Sequence, residues 1–213
     1  MFPVKHDLGD EIASANRLLE WLGASPLSPA ASRQLADYRD WLASEAAVAG
    51  AVGPDETGRL WRRHILDALT FGVFPAGESE VIDLGAGAGL PGLPLAVAFP
   101  RWHVTLVDRS ERRIDLCRRV VRLLGLANVT TVIADIDRLD GTYDRVVMRA
   151  VRSPDEAKPL VQRLLSPDGV GLIGVSAAGG FRDAADGDVD IVSIPEEILD
   201  GGATLLRIAS RDT

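Results

Sequence analysis

The feature that most constrains this fold is a short apolar run that leads directly into a glycine-rich turn. Residues 81–84 read Val-Ile-Asp-Leu, and residues 85–89 read Gly-Ala-Gly-Ala-Gly. A short apolar run bounded by a turn signal is typical of a buried strand, and glycine both adopts positive φ and lets a ligand approach the backbone. In open α/β sheets, the turn at the carboxyl end of the first strand is where a nucleotide-like cofactor binds. The pattern therefore predicts a ligand site at residues 85–89.

The chain after Glu80 alternates between short apolar runs and helical stretches. The runs lie at 81–84, 104–107, 129–133, 145–148 and 170–175, and the helical stretches at 93–99, 112–124 and 155–165. Such alternation predicts right-handed crossovers and a mostly parallel, doubly wound sheet. Two further runs, 191–194 and 203–208, flank Asp200-Gly201-Gly202 and predict a closing antiparallel hairpin. Before residue 75 the apolar spacing is helical, with Ser28-Pro29 as the start of one helix.

Charge and cysteine usage narrow the class of protein. A net charge of -8 argues against broad, non-specific nucleic-acid binding. Residues 101–125 nevertheless hold seven arginines against three acids, which is either a solvated helix face or a patch facing an anionic substrate. The single cysteine, Cys117, allows no internal disulfide. With neither a signal peptide nor an apolar run of about 20 residues, we expect a cytoplasmic protein without membrane contact.

The spacing of the glycines separates two kinds of cofactor. The dinucleotide fingerprint Gly-x-Gly-x-x-Gly fails because Leu90 stands where its third glycine belongs. Gly-x-Gly-x-Gly after an Asp-containing strand instead resembles motif I of class I methyltransferases, which bind S-adenosylmethionine. Asp108 ends the second predicted strand, where a carboxylate can accept both ribose hydroxyls. We therefore expect a class I methyltransferase (Rossmann-like) α/β fold, with an N-terminal helical cap at residues 1–76 and the S-adenosylmethionine-binding methyltransferase domain at residues 77–213.

Three longer segments resemble one family. They are His64-Ile65-Leu66-Asp67, the run Asp83-Leu84-Gly85-Ala86-Gly87-Ala88-Gly89-Leu90-Pro91-Gly92-Leu93-Pro94-Leu95-Ala96, and Arg149-Ala150. They resemble the RsmG family, also called GidB. The resemblance implies transfer of a methyl group from S-adenosylmethionine to N7 of a guanine in 16S rRNA, with the free rRNA or the 30S ribosomal particle as partner. We expect a monomer.

The motif, the strand ends and the resemblance together give a set of cofactor contacts. These are Gly85, Ala86, Gly87, Gly89, Leu90, Asp108, Arg109, Asp135, Ile136, Asp137 and Arg149. At Asp137 the family usually has Glu, so the carboxylate is kept with a shorter reach. Arg149 has three open interpretations: it pairs with the methionine carboxylate, it faces substrate phosphate, or it forms a structural ion pair with Asp144 or Asp67.

The sequence departs from the family on the substrate side. The replaced positions are Gly50, Ala51, Val52, Ala68, Asp135, Val175 and Ser176. At two of them the family has a cation: Asp135 stands where the family has Arg, and Val175 where it has Lys. Arg112 and Arg113 keep the positive pair usually written Lys-Arg. Loss of cations weakens phosphate contacts, so the methyl acceptor stays open.

The expected chemistry requires little from side chains. Guanine N7 is a lone-pair nucleophile, so no general base is needed and none is assigned. Methyl transfer then depends on proximity and orientation. The substrate-side candidates are Arg149, His64, Arg112 and Arg113, and His64 is alternatively a surface partner of Asp67. Cys117 lies inside a predicted helix, which favours packing over a covalent mechanism. No metal is expected.

Two other functions stay open. A divergent enzyme acting on a small metabolite predicts an enclosed apolar pocket under the cap, with Trp41, Trp61 and Phe71 in its wall. A binding module would keep affinity for the cofactor without turnover.

Overall fold

The N-terminal part of the molecule is helical, and its two longest helices each begin with a capping side chain. The computed structural model describes residues 7–51, 53, 56, 58–73, 77–175 and 189–210. Helix α1 spans Leu8–Trp21 and α2 spans Pro29–Trp41, which continues into a π-helical turn at Leu42–Ala46. The Asp7 carboxylate accepts the Gly9 N–H at 2.8 Å, and the Ser28 hydroxyl accepts the Ala31 N–H at 3.1 Å. These bonds satisfy backbone donors that a helix start leaves free.

A second helical segment completes the cap. A π-helical stretch, Trp61–Leu66, runs directly into the short helix α3, Asp67–Thr70. Apolar side chains of the cap and of one sheet face form a single buried cluster that includes Leu35, Ile65 and Val104. The predicted domain division after residue 76 falls outside the described residues and stays a prediction.

The sheet has seven strands in the order β3-β2-β1-β4-β5-β7-β6. The strands are β1 Ser79–Leu84, β2 Trp102–Asp108, β3 Val129–Ile133, β4 Tyr143–Arg149, β5 Leu165–Val175, β6 Val189–Ile194 and β7 Ala203–Ala209. Pairs among β1 to β5 are parallel, whereas β7 pairs antiparallel with both β5 and β6. The mostly parallel sheet and its closing antiparallel hairpin are therefore confirmed.

Three helices connect the parallel strands and cover both faces of the sheet. They are α4 Gly92–Ala98, α5 Glu111–Leu124 and α6 Pro154–Leu164. Side chains alternate between faces along each strand. Val81 accordingly joins the cluster with α4, α5 and the cap, while Ile82 and Leu84 join a second cluster with α6. The doubly wound arrangement is confirmed.

The strand order fixes where a ligand can bind. The chain winds outward from β1 in both directions, so the order reverses between β1 and β4. Ligands of open α/β sheets bind outside the carboxyl ends of the strands at this switch point. Here those ends are Leu84 and Arg149, directly before the glycine turn and the connection to α6. Among the described residues, no helix combines the length and the apolar character needed to cross a membrane.

Candidate cofactor site and substrate cleft

The glycine turn folds back over the end of β2. Gly85, Gly87 and Gly89 have φ of 77°, 60° and 97°, a region that L side chains rarely adopt. The N–H groups of Gly85 and Ala86 both donate to the Val107 carbonyl, at 2.8 and 2.9 Å. The turn thus depends on backbone geometry that glycine supplies at its three alternate positions.

The three glycines of the turn differ in the free space beside them, which narrows the ligand site predicted at residues 85–89. A Cβ on Gly85 would lie 2.5 Å from Cγ2 of Val151, and one on Gly89 would lie 2.3 Å from Cδ1 of Leu93. A Cβ on Gly87 would meet only the Gly85 carbonyl, at 3.9 Å. Packing therefore explains the missing side chain at two positions, and Gly87 is the one with room for a ligand.

Asp108 connects the turn to the end of β2. Its side chain is almost fully buried and its Oδ2 accepts the Gly87 N–H at 3.2 Å. Its Oδ1 accepts the Ser110 N–H at 2.9 Å, and Nη1 of Arg113 lies 3.5 Å from Oδ2. A carboxylate offers about four lone-pair sites, and these three donors leave one site for a hydroxyl group; a second becomes available when the long Arg113 contact is exchanged for a ligand.

A buried polar layer lies beneath the turn. The Tyr38 hydroxyl donates to the Ala88 carbonyl at 2.9 Å, which ties the cap to the turn. Asp83 is fully buried and its Oδ2 accepts the Gly92 N–H at 2.8 Å. Burial raises the pKa of Asp83 to about 7, against a lowering by the Gly92 hydrogen bond. The helical apolar spacing before residue 75 gives no sign of this contact between Tyr38 and the turn.

The residues after β3 are less well placed for a cofactor than the sequence predicted. The Asp135 carboxylate accepts the Asp137 N–H at 3.1 Å and caps a single 3₁₀ turn, and Ile136 packs into the core. Two hydrogen bonds from Arg152, at 2.9 and 3.2 Å, occupy the Asp137 carboxylate and hold its pKa below the usual value. Arg109 is exposed beyond Asp108, and its role stays a prediction.

Arg149 ends β4 and turns towards the cap. Its Nη1 donates to Oδ2 of Asp67 at 2.9 Å. Of the two ion-pair partners predicted for Arg149, the structure therefore shows Asp67. Asp144 instead accepts hydrogen bonds from the Glu80 N–H and the Ser166 hydroxyl. The guanidinium is about one-fifth exposed and lines the main cleft.

The main cleft has a volume of ≈ 1280 Å³ and lies between the cap, the end of β4 and the closing hairpin. Arg149 and His64, two of the substrate-side candidates, line it. Of the other two, Arg113 reaches Asp108 beside the glycine turn, and Arg112 donates to the Ala49 carbonyl of the cap at 3.0 Å. The cleft and the turn therefore meet at the residues that follow β4.

His64 lies in the wall of this cleft. Its Nε2 lies 3.3 Å from Oε2 of Glu56, so its nearest carboxylate is Glu56 rather than the predicted Asp67. Burial and the Arg149 charge lower the pKa of His64.

Cys117 and the three aromatic residues have packing roles. The Cys117 thiol donates to the Gly87 carbonyl at 3.5 Å, and burial raises its pKa to about 12, which removes the thiolate that a nucleophile needs.

Trp41 stacks on Tyr38 in the core, with ring centroids 6.0 Å apart. Trp61 lines a second, smaller cleft and Phe71 the main one. The prediction of one apolar pocket shared by these rings is therefore wrong.

The departures from the family have separate locations. Ala68 is fully buried, Gly50 is an exposed positive-φ residue beside Ala51, and Val175 lines the main cleft. Val52 and Ser176 lie outside the described residues.

The arginines of 101–125 are largely engaged with protein groups. Arg118 pairs with Asp115 at 3.0 Å and Arg119 with Glu45 at 3.8 Å. These contacts favour the solvated-face interpretation of that segment.

Comparisons with known proteins agree with this geometry. The family model described as GidB, rRNA small subunit methyltransferase G, matches residues 31–174. A Ribosomal RNA small subunit methyltransferase G from Mycobacterium marinum is 40% identical over 137 residues, covering 62% of this chain and 60% of that protein. The protein of the same name from Arthrobacter sp. is 35% identical over 182 residues, covering 80% of this chain and 84% of its own length. The chain thus spans only about 60% of the Mycobacterium relative.

Solved structures of methyltransferases share the fold at low identity. The ribosomal protein L11 methylase of Lactobacillus delbrueckii has a TM-score of 0.53 at 14% identity, covering 70% of this chain and 79% of that chain. The precorrin-6y C5,15-methyltransferase of Geobacter metallireducens has a TM-score of 0.50 at 16% identity, covering 68% and 88%. These matches confirm the α/β Rossmann-like methyltransferase fold. With a family match over residues 31–174 and a relative matched over most of both chains, this protein belongs to the rRNA small subunit methyltransferase G (GidB) family.

Proposed function

We propose that the chain is an S-adenosylmethionine-dependent methyltransferase that methylates N7 of a guanine in 16S rRNA. The observation that carries the proposal is the pairing of Gly87 with Asp108. An open glycine face and a buried carboxylate that retains a free lone pair are joined by one hydrogen bond of 3.2 Å. That combination suits a ligand with an apolar ring system and a ribose diol.

The residues present fit the cofactor at this place. Asp108 would accept the ribose hydroxyls, and the free side of Gly87 would let the ligand approach the backbone. Gly85, Ala86, Gly89 and Leu90 would shape the turn. When bound, S-adenosylmethionine supplies a methyl group on a positively charged sulfur. Asp137 is the weakest of the proposed contacts because Arg152 engages its carboxylate.

The acceptor side of the proposal rests on orientation. The lone pair of guanine N7 attacks without loss of a proton, so the cleft has only to bind and aim the base. His64, whose pKa is lowered, and Arg149, which is fixed by Asp67, would do so from the cleft wall. A covalent role for Cys117 is disfavoured because burial raises its pKa to about 12 and so removes the thiolate.

The alternatives are less well supported. A small-metabolite enzyme predicted one apolar pocket, whereas the main cleft is lined by five arginines and exceeds the roughly 300–1,000 Å³ of small-ligand pockets. The ribosomal substrate and the single cysteine favour the cytoplasm. We also propose that the protein acts as a monomer.

The test is transfer of radiolabelled methyl from S-adenosylmethionine to three acceptors: 30S particles, protein-free 16S rRNA and a small-molecule extract. The expected result is label in rRNA, recovered as 7-methylguanosine after nuclease digestion. Label only in the extract would support the metabolite enzyme. Tight cofactor binding without transfer to any acceptor would support the binding module, and either result would end the proposal.

A further inference from the structure

The basic groups of the main cleft are concentrated on one side. Arg59, Arg62 and Arg63 lie on the cap, and we call these three residues the cap wall. Arg149 and Arg152 continue the row at the end of β4. The row therefore runs from the cap to the strand end that borders the cofactor turn, in a chain whose net charge is -8.

Four acidic residues of the described ranges line the same cleft, and two of them lie away from the arginine row. Glu196 and Asp200 line it from the connection between β6 and β7, whereas Asp67 pairs with Arg149 and Asp155 lies in the first turn of α6. An anionic chain would therefore follow the cap wall and avoid the hairpin. Charge complementarity selects one path through the cleft.

The cap-wall arginines are available to a ligand. Arg62 and Arg63 are 55% and 58% exposed, and Arg59 is exposed as well. Arg62 pairs with Asp200, and Arg63 pairs with Glu56 at 3.1 Å. Exposed pairs of this kind contribute about 0–1 kcal/mol, so a phosphate can replace the carboxylate at small cost.

The end of the row comes within contact of the cofactor turn. Arg149 and Ala150 line the cleft, and the next residue, Val151, occupies the space beside Gly85. A base held against Arg149 would therefore lie close to the glycine turn, because only Ala150 separates Arg149 from Val151, which is beside Gly85. Phosphates on either side of that base would fall along the arginine row.

The size and chemistry of the cleft favour an unpaired nucleic acid. Its ≈ 1280 Å³ exceeds the roughly 300–1,000 Å³ that suits one small ligand. In an RNA duplex, the guanine N7 edge faces a deep, narrow major groove that side chains cannot read. Single strands expose both the base edge and the flanking phosphates.

We propose that the cap wall binds the phosphates of a single-stranded RNA segment and places the target base against Arg149. This inference rests on the proposed function, because it names the form of the RNA that the same site accepts. It assigns the affinity for RNA to the three arginines of the cap wall rather than to the arginines of α5.

The test compares two double variants that lose the same charge. R59Q/R62Q removes two cations from the cap wall, and R119Q/R122Q removes two from the exposed face of α5. Binding of a fluorescent single-stranded RNA of about 12 nucleotides is measured against salt concentration. For R59Q/R62Q we expect roughly tenfold weaker binding at physiological salt, and a slope of log K against log salt that is smaller by about 1.4.

Three controls make the result decisive. R119Q/R122Q should bind within about twofold of wild type, the charge-conserving R59K/R62K should retain most affinity, and thermal melting should report folded protein throughout. Equal losses in both glutamine variants, or tighter binding of wild type to a duplex of the same length, would overturn the inference. RNA binding that follows this pattern without methyl transfer to rRNA would instead refute the proposed function alone.

Discussion

The backbone N–H of Gly87 donates to the carboxylate of Asp108 across 3.2 Å, joining the glycine turn after β1 to the end of β2. The two residues are 21 positions apart in the chain, and the parallel pairing of β1 with β2 brings them together. The bond aims a buried carboxylate at the only turn glycine of the three whose Cβ direction is open. The predicted cofactor site is therefore built by sheet register rather than by a mobile loop.

Asp108→Asn should weaken S-adenosylmethionine binding by roughly 10–100-fold, because a charge-assisted hydrogen bond contributes about 1.5–3 kcal/mol. The amide keeps the shape of the side chain but gives up one acceptor oxygen and the charge. Titration calorimetry measures the change, with the exposed Asp115→Asn as the matched control on α5. Equal affinities of wild type and Asp108→Asn for S-adenosylmethionine would show that Asp108 does not bind the ribose.

Gly85→Ala should destabilise the fold, because Gly85 has a φ of 77° and its new Cβ would lie 2.5 Å from Cγ2 of Val151. The left-handed conformation alone costs about 1–2 kcal/mol, and the clash adds to it. In the double variant with Val151→Ala the clash is relieved and the conformational cost remains, so part of the stability should return. Urea unfolding of the four proteins in this cycle gives the coupling energy, and strictly additive losses would contradict the contact.

Much of this architecture follows from the sequence. Apolar runs and helical spacing report which face of an element is buried, and they place Asp108 at the end of a strand beside the turn. The same patterns are silent about contacts between distant segments. Tyr38 and Ala88, 50 positions apart, meet through a hydrogen bond that hydrophobic periodicity cannot reveal, because it treats Tyr38 as another apolar position.

The substrate side was harder to predict for a related reason. Comparison with family positions drew attention to cations replaced at Asp135 and Val175, and it did not single out Arg59 or Arg62. These two arginines precede the His64 motif and lie outside the motifs that the sequence analysis used. Only the packing of the cap against the sheet and hairpin places them in the cleft with Arg149.

Arg149→Gln should raise the KM for rRNA roughly tenfold while the Kd for S-adenosylmethionine stays within about twofold, since the guanidinium lines the cleft. Asp67→Asn should give a smaller rise, because it frees Arg149 from the 2.9 Å bond that orients it. Steady-state kinetics with varied rRNA, together with direct cofactor titration, separate the two quantities. A loss of cofactor affinity at unchanged KM for rRNA would assign Arg149 to the methionine carboxylate instead.

Asp83→Asn should stabilise the protein at alkaline pH and leave it unchanged near pH 4. Burial raises the pKa of Asp83 to about 7 in the folded protein, against about 3.9 in an unfolded chain. Between these values the folded protein holds a proton that the unfolded chain releases, so this group lowers the free energy of unfolding as pH rises from about 4 to 7. Asparagine keeps an oxygen to accept the Gly92 N–H and carries no charge to bury.

The gain should therefore reach at most about 4 kcal/mol at pH 8 and fade on acidification. Urea unfolding of wild type and variant at several pH values measures this difference directly, and other titrating groups, including His64 with its lowered pKa, cancel between the two proteins. Asp140→Asn, which makes the same exchange at an exposed position, is the matched control. A stability difference that is constant from pH 4 to pH 8 would mean that Asp83 stays in one protonation state throughout that range.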